Sequence, residues 1–415
     1  MRVTGRSHLV ARRVAIALTV VWAATRVSAQ QPSIPAPLTY AQALELATTR
    51  NLAVGAARRA RQIREAGVRI AGQRPNPTAS FEVTQDTPHE VFVFDLPVEL
   101  GGKRARRIDV ANAELALADV DVQTEMRSVR RELRQAFYSL LAADERVRLA
   151  ESLRDIARRV LDTAQARFET GAAPRLDALQ AELGVTRAET DLELARSIRA
   201  AEQARLNGVL NLPPQQALVV TGTLSEGVAA ISYDQALALA TMSNVDLISL
   251  DRQIAVEERR VNLLRAEARP TPVFSVSGLF NSPDFTAAAG AGVSMELPLF
   301  SRNQGQIAQS IATTSQLRGR REATLRTIEN GVYGIVARID AERRQLDAFE
   351  QRLVPTATTL QELAEESYRA GRTSVLGLLD AQRSLRDLRR EGLQAALELQ
   401  LSIADLEELL GTTIR

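Results

Sequence analysis

The sequence predicts a mainly α chain with a small β part, in which a long α-helical hairpin and a β-hairpin each occur twice. Three observations carry that prediction. Of 415 residues, 45% are hydrophobic but only 4% aromatic, and the hydrophobic share is chiefly Ala, Leu and Val, which suits helices and coiled coils. Segments of about 65 residues carry apolar side chains three, four and seven apart. Four landmarks recur in one order at an offset of about 193 to 201 residues, the mark of an internal duplication.

The landmarks are specific. Leu38-Thr39-Tyr40-Ala41-Gln42-Ala43-Leu44 returns as Ile231-Ser232-Tyr233-Asp234-Gln235-Ala236-Leu237. Arg74-Pro75-Asn76-Pro77 is echoed by Arg269-Pro270-Thr271-Pro272, and Asp95-Leu96-Pro97-Val98 by Glu296-Leu297-Pro298-Leu299. Phe168-Glu169-Thr170-Gly171 returns as Tyr368-Arg369-Ala370-Gly371.

In chain order, residues 1–29 read as an export signal. Arg2, Arg6, Arg12 and Arg13 precede an apolar run from Val14 to Ala24, and Val27-Ser28-Ala29 offers a small-residue cleavage site. The run is short of the ~20 residues of a spanning helix. Removing its five arginines from a formal charge of +2 leaves the rest of the chain about −3. Residues 30–212 form the expected first repeat: an opening helix N-capped by Thr39 and running to the Pro pair, a β-hairpin at about 78–100, and a long helical hairpin at about 103–210. Residues 213–230 are the expected linker. Residues 231–415 repeat the plan from Ser232, with a β-hairpin at about 272–300 and a helical hairpin at about 304–411. Pro355 interrupts the second rod, and an irregular turn is expected there.

The period-two segments point to a membrane. Phe81, Val83 and Gln85 alternate with Glu82, Thr84 and Asp86; Phe92, Phe94, Leu96, Val98 and Leu100 alternate with a row holding Asp95 and Glu99. In the second copy Phe274, Val276 and Phe280 alternate with Ser275 and Ser277, and Val293, Met295, Leu297 and Leu299 with Gly292, Ser294 and Glu296. Strands of about nine to twelve residues with one apolar face suit an outer-membrane wall. The alternative is a soluble four-stranded sheet half covered by helix. In hydrocarbon, four strands cannot close, and open edges leave backbone groups unpaired at several kcal/mol each. Closure therefore needs further copies, and transport favours three.

These residues together resemble the TolC-type outer membrane efflux factors, over essentially the whole chain after residue 29. Leu96-Pro97-Val98-Glu99-Leu100-Gly101-Gly102-Lys103-Arg104 is similar to the segment leaving the first hairpin in the branch serving cobalt-zinc-cadmium exporters. The resemblance implies a homotrimer in the outer membrane of a Gram-negative cell, with one shared 12-stranded β-barrel and a coiled-coil α-barrel reaching into the periplasm. It implies a passive exit duct for substrates, divalent heavy-metal cations among them. The expected partners are a periplasmic adaptor (a membrane fusion protein), a proton-driven inner-membrane efflux pump and outer-membrane lipid. No cofactor is implied, since the energy source lies in the pump.

By position, the resemblance carries over a periplasmic gate. The turns at Gly171 and Gly371 match the tip turns where adaptors dock. Asp380 matches one of two aspartates that ring the constriction, the other falling at Gly377. Tyr368 and Asp177 match a hydrogen-bonded pair that holds the tips closed; the companion arginine falls at Thr373, with Arg372 beside it as a substitute.

Enzymatic chemistry is poorly supplied. There is no Cys, and the histidines are His8 and His89, the latter expected in an exposed hairpin loop. No metal site and no clustered basic face for nucleic acid is expected. Glu99-Leu100-Gly101-Gly102-Lys103 lacks phosphate-loop spacing. The competing reading is a soluble periplasmic coiled-coil structural or adaptor protein.

Overall fold

The computed structural model describes residues 37–86, 88, 90–225, 231–281 and 286–414. The expected export signal, His8, His89 and residues 226–230 of the expected linker lie outside them. Helices α1 (Tyr40–Arg50) and α2 (Leu52–Ala71) lead to strands β1 (Thr78–Val83) and β2 (Glu90–Pro97), then to α3 (Lys103–Glu169) and α4 (Arg175–Val209). The second copy follows as α5 (Tyr233–Ser243), α6 (Val245–Glu267), β3 (Pro272–Asn281), β4 (Thr286–Met295), α7 (Gln304–Ala348), a π-helical turn (Phe349–Leu353), α8 (Val354–Arg369) and α9 (Val375–Leu410). The class is mainly α with a small β part.

Local chemistry explains the starts. Thr39 and Gln42 form a reciprocal capping box at α1, and Ser232 and Gln235 form its counterpart at α5. The single opening helix expected in each copy is instead two. Asn51 and Asn244 stand at the breaks with extended backbones (ψ 132° and 122°), and each side-chain oxygen caps the next helix. Each amide also donates to the end of its return helix, Asn51 to Val209 O at 3.2 Å and Asn244 to Leu409 O at 2.8 Å. One residue thus ends a helix, starts another and ties both to a third.

Helix α3 holds 67 residues, a rod of roughly 100 Å at 1.5 Å per residue. It packs on α2 and α6 along its first part and on α4 along its second; α7 does the same with α6, α9 and the π turn. The second rod stays helical throughout but changes its hydrogen-bond ladder at one point. Pro355 has no N–H and its ring clashes with a carbonyl four residues back, and the ladder slips just before it, with Val354 N–H bonding Phe349 O. Phe349 is buried there against Gly392, where an added Cβ would lie 3.4 Å from Phe349 Cβ.

Both copies contribute to an aromatic cluster beside α1. Tyr40, Phe137 and Tyr138 pack with centroids 5.5–5.7 Å apart. The Arg134 guanidinium stands over Tyr40 and Tyr138 and pairs with Glu407 at 2.9 Å, both side chains being buried. Burial pushes the Tyr40 phenol up to about 12, with the Glu407 charge adding to it. Linker residues are drawn in too: Leu38 bridges Val220, and Leu224 O accepts from Gln400.

The strands form one antiparallel sheet in the order β1-β2-β3-β4. The hairpins of the two copies therefore join through β2 and β3, pairing Phe94 with Val276 and Leu96 with Phe274. The expected nine to twelve residues per strand fit β3 and β4, with ten each; β1 and β2 are shorter, six and eight. Thr84 Oγ1 bonds Asp86 O and Pro88 O, both at 2.8 Å, and so turns the chain into its loop early.

Candidate functional site

Two regions hold the functional candidates: the sheet and the far ends of the helical hairpins. The register sorts the sheet into two faces. Cross-strand partners share a face, so Phe81, Phe92 and Gly278 lie in one row, Ala79, Phe94, Val276 and Ala291 in the next, and Leu96, Phe274 and Val293 in a third. The opposite face carries Ser80, Val93, Ser277 and Gly290, then Thr78, Asp95, Ser275 and Gly292. The apolar face is uncovered, with Phe92, Phe94, Leu96, Phe274 and Val276 all exposed. Among the described elements the helices pack on helices and no helix lies over the sheet. Among the described residues the outer edges of β1 and β4 are unpaired, a condition hydrocarbon does not tolerate without a further strand.

Where the sheet meets the rods, the Glu99–Arg104 stretch acts as a splice. Gly101 and Gly102 take consecutive left-handed conformations, φ +75° and +76°, which glycine adopts without a Cβ penalty. Lys103, buried, donates to Arg269 O at 2.6 Å and Thr271 Oγ1 at 2.5 Å, where α6 passes into β3. Arg104 donates to Gly72 O at 2.5 Å and Arg107 to Gln73 O at 3.1 Å, just past the C-terminus of α2. Arg107 also grips Glu99 with both nitrogens, and these hydrogen bonds hold the Glu99 carboxyl below its usual range. Sequence reasoning dismissed this stretch as a phosphate loop without seeing its task. The signal was legible as two glycines followed by cations at the junction between periods.

At the other end, Gly171 and Gly371 have φ +72° and +71°. Each is the left-handed residue of a Schellman turn: Ala172 N–H bonds Arg167 O and Gly171 N–H bonds Phe168 O, and Arg372 and Gly371 repeat this with Ser367 and Tyr368. Four helices meet beside these turns, where Tyr368, 1% exposed, packs among Val160, Ala164, Ala181, Val375 and Leu378.

The candidate gate residues are unevenly gathered. Tyr368 and Asp177 lie close enough for the Asp177 charge to add to burial in raising the Tyr368 phenol. Within one chain the structure departs from the implied arrangement in two respects. The buried Tyr368 hydroxyl has no hydrogen-bond partner, so no bond joins it to Asp177. Arg372 is exposed, and the guanidinium on Tyr368 belongs to Arg167, 4.7 Å from the ring centroid, a residue that sequence reasoning missed. Asp380 is exposed one turn beyond Gly377 and accepts from Arg383 at 3.1 Å. Among the described residues no group of His, Asp or Glu is arranged to hold a metal ion, and no helix is long and apolar enough to cross a membrane.

Comparison with known proteins gives this geometry a context. The chain is 27% identical to the cobalt-zinc-cadmium resistance protein CzcC of Cupriavidus metallidurans over 381 residues, 90% of each protein. It is 25% identical to the pyoverdine export outer membrane protein OpmQ of Pseudomonas putida, over 82% of this chain and 73% of that one. Its fold matches the outer membrane protein VceC of Vibrio cholerae with a TM-score of 0.72 at 16% identity, over 91% of this chain and 97% of that one. The family model described as outer membrane efflux protein matches residues 43–212 and 244–412. Those two segments make up most of the sequence, one in each copy of the repeat, and this chain belongs to the outer membrane efflux protein family.

Proposed function

We propose that three copies of this chain form the exit duct of a tripartite efflux system, passively conducting divalent heavy-metal cations from an inner-membrane pump and a periplasmic adaptor to the outside. The observation that carries the assembly is the bare apolar face of a four-stranded sheet with two open edges. Three copies supply twelve strands and remove every edge, the requirement for a wall in lipid. In this reading β4 of one subunit pairs with β1 of the next, and the paired rods continue the wall into the periplasm. The Gly171 and Gly371 turns form the tip that meets the adaptor. Asp380, Tyr368, Asp177 and Arg372 lie at or near that tip and form its gate.

The cation cargo is supported by charge as well as by the likeness to CzcC. No Lys or Arg occurs from Pro75 to Gly102 or from Pro270 to Ser301, whereas Glu82, Asp86, Glu90, Asp95, Glu99, Asp284 and Glu296 do. Asp95 and Glu82 fall on the polar face, so a closed wall would surround its water with negative potential, which concentrates cations. The test compares a deletion strain with the same strain carrying the gene again. Sensitivity to cobalt, zinc or cadmium in the deletion that the gene reverses, with cross-linked trimers in the outer-membrane fraction, supports the reading. Unchanged metal tolerance with lost siderophore or drug export would overturn the cargo, and recovery as a soluble monomer would overturn the duct.

A further inference from the structure

We propose that Arg167 is the latch that holds the two hairpin tips of each subunit together, in place of a hydrogen bond from the Tyr368 hydroxyl. This rests on the reading of the tip turns as the narrow end of the duct. Arg167 sits in the last turn of α3, in the first copy; Tyr368 sits in the last turn of α8, in the second. Its guanidinium lies over the Tyr368 ring at 4.7 Å, donates to the Tyr368 carbonyl, and reaches Ala172 O at 3.5 Å. One planar cation therefore touches the end of one hairpin's helix and the turn of the other, using a face for the ring and separate N–H groups for the carbonyls. Lysine, a point charge on a flexible stem, cannot do all three.

The surroundings favour this assignment. Gly371 lies beside the guanidinium: a Cβ there would stand in ordinary contact, 3.7 Å from an Arg167 nitrogen. Beneath the pair, Val160, Ala164, Ala181, Val375 and Leu378 exclude water, and a cation–π contact strengthens as water is removed. The hydroxyl is buried without a partner, so deleting it breaks no bond and relieves a desolvated group. The ring, not the hydroxyl, is what the latch uses. Parting the hairpins, as widening of the tip requires, breaks the stacking and the bond to the Tyr368 carbonyl together, while the contact with Ala172 O, made within Arg167's own hairpin, braces the guanidinium.

Substitutions at Arg167 and Tyr368 in the purified full-length protein test this in planar bilayers. Arg167→Met is expected to raise the open fraction about tenfold, equivalent to ~1.4 kcal/mol. Tyr368→Leu should open the tip comparably, and the double variant no further than either, because both remove one interaction. Tyr368→Phe should stay within about twofold of wild type. Opening by Tyr368→Phe as large as that by Arg167→Met, or a closed Arg167→Met channel, would overturn the latch. Arg167→Lys, which keeps the charge, should open the tip partway and serves if the Met variant folds poorly. Because the chain has no Cys, spin labels at Thr170→Cys and Ala370→Cys, both exposed, read the tip separation directly. Arg167→Met should lengthen or broaden that distance, and an unchanged distance would overturn the latch. A wild-type protein that inserts no channel would overturn the duct reading, while the spin-label distance still decides whether Arg167 joins the tips.

Discussion

Exchanging one residue on each face of β2 for arginine separates a membrane wall from a soluble sheet. Phe94 is opposite Ala79 and Val276 on the apolar face; its neighbour Val93 is opposite Ser80 and Ser277 on the other. Phe94 is the fifth of eight residues in β2, which places it near mid-depth of a strand about 26 Å long at ~3.3 Å per residue. A lipid-facing arginine at mid-depth costs ~2–4 kcal/mol, so Phe94→Arg is expected to destabilise a three-subunit wall by ~6–12 kcal/mol. Val93→Arg faces the wet interior and should cost within ~1 kcal/mol per subunit. If the sheet stood in water, the Phe94 side, already 38% exposed, would accept arginine at a cost of at most ~0.5–1 kcal/mol, and the two variants would behave alike. Outer-membrane yield, heat-modifiable trimer on gels and urea midpoints measure the difference. Equal assembly of Phe94→Arg and Val93→Arg would refute the face assignment.

Other expectations follow from the same geometry. Asp380→Ala and Asp95→Asn should each lower cation-over-anion permeability, read as a shift in single-channel reversal potential; unchanged selectivity in either removes that residue from the conduction path. Gly371→Ala forces an alanine to φ +71° and should cost ~1–2 kcal/mol, lowering Tm, whereas Gly55→Ala in α2, with open space around its Cβ, should raise stability by ~0.5–1 kcal/mol. The Glu99 carboxyl is held below its usual range by Arg107. Its contribution is therefore fully present above the unfolded value of ~4.3 and is lost as pH falls through the lower folded value. Urea midpoints between pH 7 and pH 3 should fall less steeply for Glu99→Gln, which at pH 7 should itself be weaker by ~1–2 kcal/mol.

The amino-acid order alone determined the class. A heptad spacing repeated over 65 residues cannot be satisfied in a globular core, and a period of two with one apolar face admits few environments, so rods and an exposed sheet were both legible. The duplication was legible because Thr39 and Ser232, Gly171 and Gly371 perform the same local job twice. Those jobs, capping and left-handed turning, depend on a residue and its next four neighbours.

What needed the tertiary structure was every contact made across the copies. Asn51 reads as a polar residue inside a helical pattern until Val209 is seen to accept its amide. Lys103 is one cation among many until α6 ends against it. Arg167 lies 201 residues from the carbonyl it grips, and Arg372, adjacent in sequence to the expected site, is exposed. Local periodicity fixes which way a side chain faces on its own element. Only the packing of elements far apart in the chain decides what it meets there.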